Sequence, residues 1–524
     1  MSAQAATMSV LRVVVVVALL VVAGCASLPD QYDRPESHAL QGTEATRLGQ
    51  TGRATLQMHP GESGFLPLPN GVDALGARIH LADMAERSLD VQYYIWHDDL
   101  TGRLFGDALL RAADRGVRVR ILVDDVGTKA NDDNLLSLDS HPNVEIRLFN
   151  PVASRTFRGM GMLTDFSRVN RRMHNKAFVA DNQRAVVGGR NIGDEYFEAH
   201  GDVAFGDLDV LAAGPVVPEV SRAFDSYWNA LMSVPIGALT GRPAEVPALD
   251  ALRAKLAAFV EAQRDSPYVI NARSRLAEGL AAGAESLYWG KAHLLVDDPA
   301  KVTRAPEDTE GHLLPQLASL GLQPRSELLI VSPYFIPGDT GVAWLRGLVQ
   351  QGVRVTVLTN SLAASDVSAV HAGYKRYREA LVEGGVRLYE LRPDAIDYAR
   401  TKDKNRAISG SHASLHAKTF VFDRRAVFIG SLNLDPRSVQ LNTEIGVVCQ
   451  SEPFAQALAG GVEASLDKVA WRLDRVAAPD GKAQLVWIET SAEGTRQRLD
   501  EPEVSTWRKL GVWFLGLLPI ESQL

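Results

Sequence analysis

A motif that occurs twice constrains this chain more than anything else in it. Residues 173–193 read MHNKAFVADNQRAVVGGRNIG, and residues 415–435 read LHAKTFVFDRRAVFIGSLNLD. Both copies space His, Lys and Asp alike, as His174, Lys176 and Asp181 and as His416, Lys418 and Asp423. An apolar stretch then leads to a small pair and an asparagine: Gly188, Gly189 and Asn191 in the first copy, Gly430, Ser431 and Asn433 in the second. Alternation puts His174, Lys176 and Phe178 on one face of a strand, and His416, Lys418 and Phe420 likewise. An imidazole and an ammonium on one strand face are costly to bury without an anion to answer them. The aspartate falls near the strand end, where the chain turns into a hairpin. The small pair lets backbone approach a ligand, and the asparagine offers an amide donor beside it.

The surroundings of the motif repeat as well. Leu89–Ile95 reads as a strand, Thr101–Arg115 as a helix with Leu104, Phe105, Ala108, Leu109 and Ala112 on one face, and Val117–Val123 as the next strand. That is a βαβ unit, normally parallel and right-handed. The second half repeats it with Leu328–Tyr334, a helix capped by Asp339 and carrying Val342, Leu345, Leu348 and Val349, and Val353–Leu358. Gly-Val-Arg-Val stands at the same point of both units, at residues 116–119 and 352–355. The chain is therefore expected to be α/β, with two similar domains, each a mixed sheet flanked by helices, related by a pseudo-twofold axis and sharing one active site. The expected domains are 56–240 and 286–524, joined by a helical connection over 241–285.

The paired motif suits a phosphodiester. Lys176 and Lys418 neutralise the phosphate, helped by the amides of Asn191 and Asn433. Two histidines across the phosphorus supply a nucleophile and a general acid/base. Each needs an acceptor for its far ring nitrogen. The expected partners lie within each half, Asp207 for His174 and Glu444 for His416, with Asp209 less suited.

The duplicated HxKxxxxD with its GSxN tail closely resembles the phospholipase D superfamily, from which the first copy departs in having Gly189 where Ser is frequent. Its flanks, LDVQYYIWHDDLTGRLF, NRRMHNKAFVADNQRAVVGGRNIGDEYF and LPIESQL, resemble the bacterial cardiolipin synthases of that superfamily, from about Gly61 onward. The resemblance implies that Asp181 and Asp423 belong to the catalytic motif in a mostly structural part, and that His174 is the nucleophile and His416 the acid/base. The residues alone do not rank the two histidines. It also implies transfer of a phosphatidyl group from one phospholipid, phosphatidylethanolamine in that family, to phosphatidylglycerol, giving cardiolipin. A hydrolase releasing phosphatidic acid, or less readily a nuclease, stands as the alternative.

Composition bears on partners. A net charge of -8 disfavours a nucleic-acid binder. The sequence has 2 Cys, so no disulfide framework is expected, and no His/Cys cluster has metal-ligand spacing. No cofactor is expected; the expected partners are phospholipids and a membrane surface. Residues 1–25 read as a lipoprotein-type signal in which Val22-Ala23-Gly24-Cys25 resembles a lipobox, or as an uncleaved anchor, and 26–55 as a spacer. Lipidation of Cys25 would place the chain on a membrane, facing the periplasm. Near the other end Trp507, Trp513, Phe514, Leu515, Leu517 and Leu518 lie beside Arg508 and Lys509, as in an interfacial segment or a last helix packed on the core. Tyr93, Trp96, His97, Tyr334, His371, Tyr374 and Tyr377 are candidates to line the substrate crevice, and Arg171 and Arg172 to meet headgroup phosphates.

Overall fold

The computed structural model describes residues 28–524 except residue 30 and segments 129–130, 156–157, 160–164, 200–202, 243–245, 273–286, 396–411, 478–482 and 492–493. The signal segment and Cys25 thus lie outside the described residues. Among the described residues, no helix is long and apolar enough to cross a membrane.

The first half contributes β1 (Ser63–Leu68), α1 (Gly71–Met84), β2 (Ser88–Tyr93), α2 (Leu100–Asp114), β3 (Arg118–Asp124), β4 (Val144–Phe149), β5 (Ala177–Ala180), β6 (Arg184–Gly188), β7 (Val203–Gly206), β8 (Asp209–Ala213), α3 (Val216–Trp228) and β9 (Ser233–Pro235). An 18-residue helix, α4 (Val246–Gln263), follows. The second half contributes β10 (Tyr288–Val296), β11 (Glu327–Val331), α5 (Gly338–Gln350), β12 (Arg354–Asn360), α6 (Ser368–Lys375), β13 (Arg387–Leu391), β14 (His412–Leu415), β15 (Lys418–Phe422), β16 (Ala426–Gly430), β17 (Ile445–Gln450), α7 (Glu452–Val469), β18 (Ala470–Ala477), β19 (Ala483–Ser491), β20 (Gly494–Arg498) and α8 (Thr506–Gly516).

Both expected βαβ units form, with β2 parallel to β3 and β11 parallel to β12. The α2 face bearing Leu104, Phe105, Ala108, Leu109 and Ala112 is buried on the first sheet. In α5, Asp339 sits inside the first turn after Pro337 at the cap, so it does not cap the helix as expected. The alternating arginines of β3 have a use that the pattern leaves open. Buried Arg120 binds Asp90 and Asp225, each at 2.7 Å, and so ties the sheet to α3.

The strand order is the same in both halves. The first sheet runs β1-β8-β6-β5-β2-β3-β4-β9, and the second runs β10-β17-β16-β15-β11-β12-β13-β18 before its extra hairpin β19-β20. The two first strands, β1 and β10, pair antiparallel and fuse the sheets edge to edge. Their register locates the symmetry. Gly188 faces Asp209 as Gly430 faces Gly446, and Phe65 faces Ala212 as Ala292 faces Cys449. Ser63 is therefore equivalent to Gly290, and these two are partners across the β1–β10 seam. A residue paired antiparallel with its own equivalent is what a twofold axis through that pair requires.

Candidate active site

The histidines do not lie within the strands where alternation places them. The ladder begins at Ala177 in the first copy and at Lys418 in the second. The backbone before each ladder instead pairs with the other domain. Met173 forms a parallel bridge with Thr443, with His174 N donating to Thr443 O at 2.9 Å and Thr443 N to Arg172 O at 2.9 Å. By the same geometry β14 runs parallel to β7, Leu415 against Gly206, and His416 N donates to Gly206 O at 2.8 Å.

This register decides which acid serves which histidine. Residues that follow a parallel pair are themselves neighbours, so His174 abuts Glu444 and His416 abuts Asp207. His174 Nδ1 lies 2.8 Å from Glu444 Oε2, and His416 Nδ1 lies 2.6 Å from Asp207 Oδ2. Both acids expected to orient a histidine do so, but each serves the histidine of the opposite domain. An ionised carboxylate only accepts, so each Nδ1 carries the hydrogen and each Nε2 presents its lone pair. Asp209 is a core residue, accepting from Arg78 at 2.8 Å.

Every group in this cluster is buried: His174, Lys176, Asn191, Asp207, His416, Lys418, Asn433 and Glu444. Lys176 Nζ donates to His174 O at 2.6 Å, and Lys418 Nζ bonds His416 O in the same way. Burial, then Lys176 and Lys418, holds the His174 imidazolium well below its ordinary pKa. Burial and Lys418 bring His416 down to about 4. Burial lowers Lys176 well below 10.5 and Lys418 to about 8, and raises Glu444 to about 7. Burial also acts to raise Asp207, but adjoining His416 outweighs it and keeps this carboxyl below the usual range. Glu444 and Asp207 oppose the effect of burial on both lysines, and Lys418 in turn lowers Lys176. Asn191 accepts from Ile95 N at 3.1 Å through Oδ1, and its side chain also meets Tyr196, whose ring lies against His416.

The two halves differ at one coupled pair. Ser431 Oγ donates to Glu444 Oε2 at 2.5 Å and accepts from Ile445 N at 3.0 Å. Gly189 stands at the matching place, and a Cβ there would lie 2.2 Å from Asp207 Oδ1. The shorter acid sits closer to the backbone and excludes a side chain, so Gly189 goes with Asp207 as Ser431 goes with Glu444. Gly189→Ser is expected to cost about 1–3 kcal/mol by overpacking and to depress turnover. Adding Asp207→Glu, which recreates the second half, should recover part of both, as read by thermal unfolding and turnover of the double variant.

With this geometry in place, comparison with known proteins identifies the chain. A family model described as the cardiolipin synthase, PLD-like domain, matches it twice, over residues 79–228 and 322–464. The chain belongs to that family. It is 44% identical to cardiolipin synthase C of Escherichia coli K12, over 91% of this chain and 99% of that protein. It is 27% identical to cardiolipin synthase B of the same strain, over 79% of this chain and 82% of that protein. Among solved structures, phosphatidylserine synthase of Haemophilus influenzae Rd KW20 shares the fold, with a TM-score of 0.55 at 15% identity over 91% of this chain and all of that one.

As a family member the chain keeps both motifs whole. Asp181 and Asp423 take the mostly structural part that the resemblance implies, since they lie at the far end of their strands, roughly 17 Å along the chain from the lysines at 3.3 Å per residue. Both adopt left-handed backbone, φ 53° and 50°. Asp181 accepts from the amides of Glu86, Arg87 and Ser88, and Asp423 from those of Arg325, Ser326 and Glu327. They clamp each hairpin turn to the start of the neighbouring strand. Asp181→Ala should cost about 2–4 kcal/mol, through stranded donors and a left-handed alanine. Turnover per folded molecule should keep its order of magnitude, as read by denaturant unfolding beside an activity assay.

The crevice candidates also sort out. Tyr93 is a core residue bonded to Arg78 Nε at 2.8 Å, and it is Tyr94 whose ring meets His174 edge-on at 5.2 Å. Alternation carries on past the strand end, so Tyr94 shares the face of Gln92, which meets Met173, a face the sequence reading passed over. Tyr196, likewise missed, meets His416 at 5.1 Å. Trp96 stacks on Phe105, and His97 Nδ1 lies 3.3 Å from Glu195 and 3.9 Å from Asp99. Tyr334 donates to both carboxylate oxygens of exposed Asp366, at 2.9 and 3.0 Å. His371, Tyr374 and Tyr377 bind Glu501, Glu390 and Glu521. Arg171 and Arg172 bond protein groups, the carbonyls of Arg304 and Asn150, with Asp124 at 3.3 Å from Arg172.

Proposed function

We infer that this phospholipid phosphatidyltransferase makes cardiolipin from phosphatidylglycerol and a second phospholipid, with phosphatidylethanolamine as the fitting donor, through a phosphohistidine. The observation that carries the reading is the pair of crossed histidine–carboxylate contacts between two lysines, in a chain 44% identical to cardiolipin synthase C over nearly its whole length.

In the first step the Nε2 lone pair of His174 attacks the donor's phosphorus. The bond from phosphorus to the headgroup oxygen breaks, and His416 gives its proton to that oxygen. The bound phosphodiester's charge and ionised Asp207 favour the imidazolium that this requires. In the second step neutral His416 takes the proton of a glycerol hydroxyl of phosphatidylglycerol. The freed oxygen attacks phosphorus, the P–N bond breaks, and His174 is regenerated. Lys176, Lys418 and the Asn191 amide hold the charge on the non-bridging oxygens throughout. Exposed Asp366, whose charge reaches Lys418, would repel a polyanion and suits an ammonium or polyol headgroup, which supports a lipid substrate over nucleic acid.

The test is purified protein in mixed micelles with labelled phosphatidylglycerol, with and without phosphatidylethanolamine, beside His174→Ala. Cardiolipin formed by the wild type and absent in the variant supports the reading; phosphatidic acid alone would replace it with a hydrolase. The same reading has the chain tethered through lipidated Cys25 and facing the periplasm. Labelled palmitate should then enter the wild type but not Cys25→Ser.

A further inference from the structure

The C-terminal helix α8 has two unlike faces. Trp507, Leu510, Trp513, Phe514 and Leu517 recur at the three- and four-residue steps that make one stripe, and all are exposed, Trp507 at 82% and Trp513 at 60%. On the other side Val512, 2% exposed, packs with Leu362 and Ala372. The helix is pinned as well as packed. Arg508 donates to Ser365 O at 2.6 Å, Arg376 binds Glu521 at 2.8 Å, and Arg437 N donates to Leu524 O at 2.7 Å. A rigidly presented stripe of large apolar side chains marks a surface that meets an apolar partner.

The loop beneath the helix leads to the chemistry. Asn360 brackets Leu415, donating to its carbonyl at 3.0 Å and accepting from its amide at 2.8 Å, and His416 is the next residue. Ser365, which holds Arg508, precedes Asp366, the carboxylate bonded to Tyr334. Val367 follows, an exposed apolar residue between helix and site. The loop that holds Arg508 therefore also reaches the catalytic cluster, where Asp366 acts on Lys418.

We propose that α8, with Val367, seats the enzyme on the lipid bilayer so that the cleft opens at the headgroup level. The proposal rests on the lipid-transfer reading, because a cleft that draws its substrate from a bilayer needs its mouth there. The driving force is apolar burial, not charge. Residues 500–524 hold four carboxylates against two cations, and Lys509 is already answered by Asp500 at 2.5 Å. The helix lies in the interface with its aromatic rings among headgroups and upper acyl chains.

The test compares the full-length wild type with Leu510→Ser/Leu517→Ser, both positions being exposed enough to leave the fold intact and Trp507 and Trp513 staying in place as reporters. Tryptophan fluorescence is followed against vesicles of brominated phosphatidylcholine containing phosphatidylglycerol. Turnover is measured on vesicles and on short-chain monomeric phosphatidylglycerol. The wild type should be quenched to the same extent at low and high salt. The variant should lose most of that quench and on the order of tenfold in vesicle turnover, as the loss of two buried apolar anchors implies, while keeping turnover on monomers. Any N-terminal tether is common to both proteins, so the difference reports α8. Equal quenching in the two proteins, unchanged vesicle turnover, or binding abolished by salt would overturn the proposal. A wild-type dimer that the variant dissociates would give the face to a second copy and overturn it too. Failure of the transferase reading is distinguishable, since neither protein would then make cardiolipin while the quench would still report seating.

Discussion

Glu444→Gln is expected to lower phospholipid turnover by about 10²–10⁴-fold, at a different step from Asp207→Asn. Glu444 orients His174, so its loss disables the attack; Asp207 orients His416, so its loss disables proton transfer. The two separate on an activated phosphodiester whose nitrophenolate leaves without a proton. There Asp207→Asn and His416→Ala should still release a burst of nitrophenolate and accumulate phosphoenzyme. Glu444→Gln and His174→Ala should do neither. If Asp207→Asn behaved as His174→Ala does, the crossed pairing would be wrong. Glu444 also sets an acid limb. Below about 7 it is protonated and donates to Nδ1, which drives the ring hydrogen to Nε2 and removes the attacking lone pair. The kcat/KM value should rise with pH through that region, and Glu444→Gln should flatten the rise.

Lys418→Met should cost about 10²–10³-fold in turnover and yet raise the stability of the empty protein. Burial brings the Lys418 ammonium from its ordinary 10.5 to about 8. A folded value below the unfolded one means that folding penalises the charge, here by up to about 3 kcal/mol. The penalty is complete below pH about 8, where both states are protonated, and fades as pH rises toward 10.5. Removing the ammonium removes it, less whatever Asp207 and Glu444 lose in an opposing charge. Inorganic phosphate should raise the Tm of the wild type and leave that of Lys418→Met nearly unmoved. A variant less stable than the empty wild type would show that Lys418 has a structural task. Deprotonation of Lys418 also sets the alkaline limb of kcat/KM, which should fall above about 8.

Much of this molecule is legible in its sequence. The two βαβ units, the repeated motif and the apolar face of α2 are local periodicities, and periodicity survives folding because it is what the sheet and helix bury. The chemical inventory is equally local: two histidines, two lysines and two acids reach one cluster, whereas the Asn433 amide expected to meet the phosphate donates to Ser438 Oγ at 3.3 Å. Misreadings come where a segment leaves its own sheet. Alternation extended through His174 and Lys176 into a strand, but there the backbone bonds Thr443 of the other domain. Tyr94 lies on the strand face opposite core residue Tyr93, and the polar face of α6 is covered by the C-terminal tail through Glu501 and Val512.

The sequence by itself determined a duplicated α/β protein and the groups that act on a phosphodiester, since both follow from residue type and spacing. Only the tertiary structure decided that each catalytic histidine is held by the other domain's acid. Parallel pairing of Met173 with Thr443 and of Leu415 with Gly206 makes neighbours of residues 174 and 444 and of 416 and 207. A register across an interface leaves no periodicity in either strand. Each domain alone therefore holds a histidine without its carboxylate, and the candidate active site exists only where the two meet.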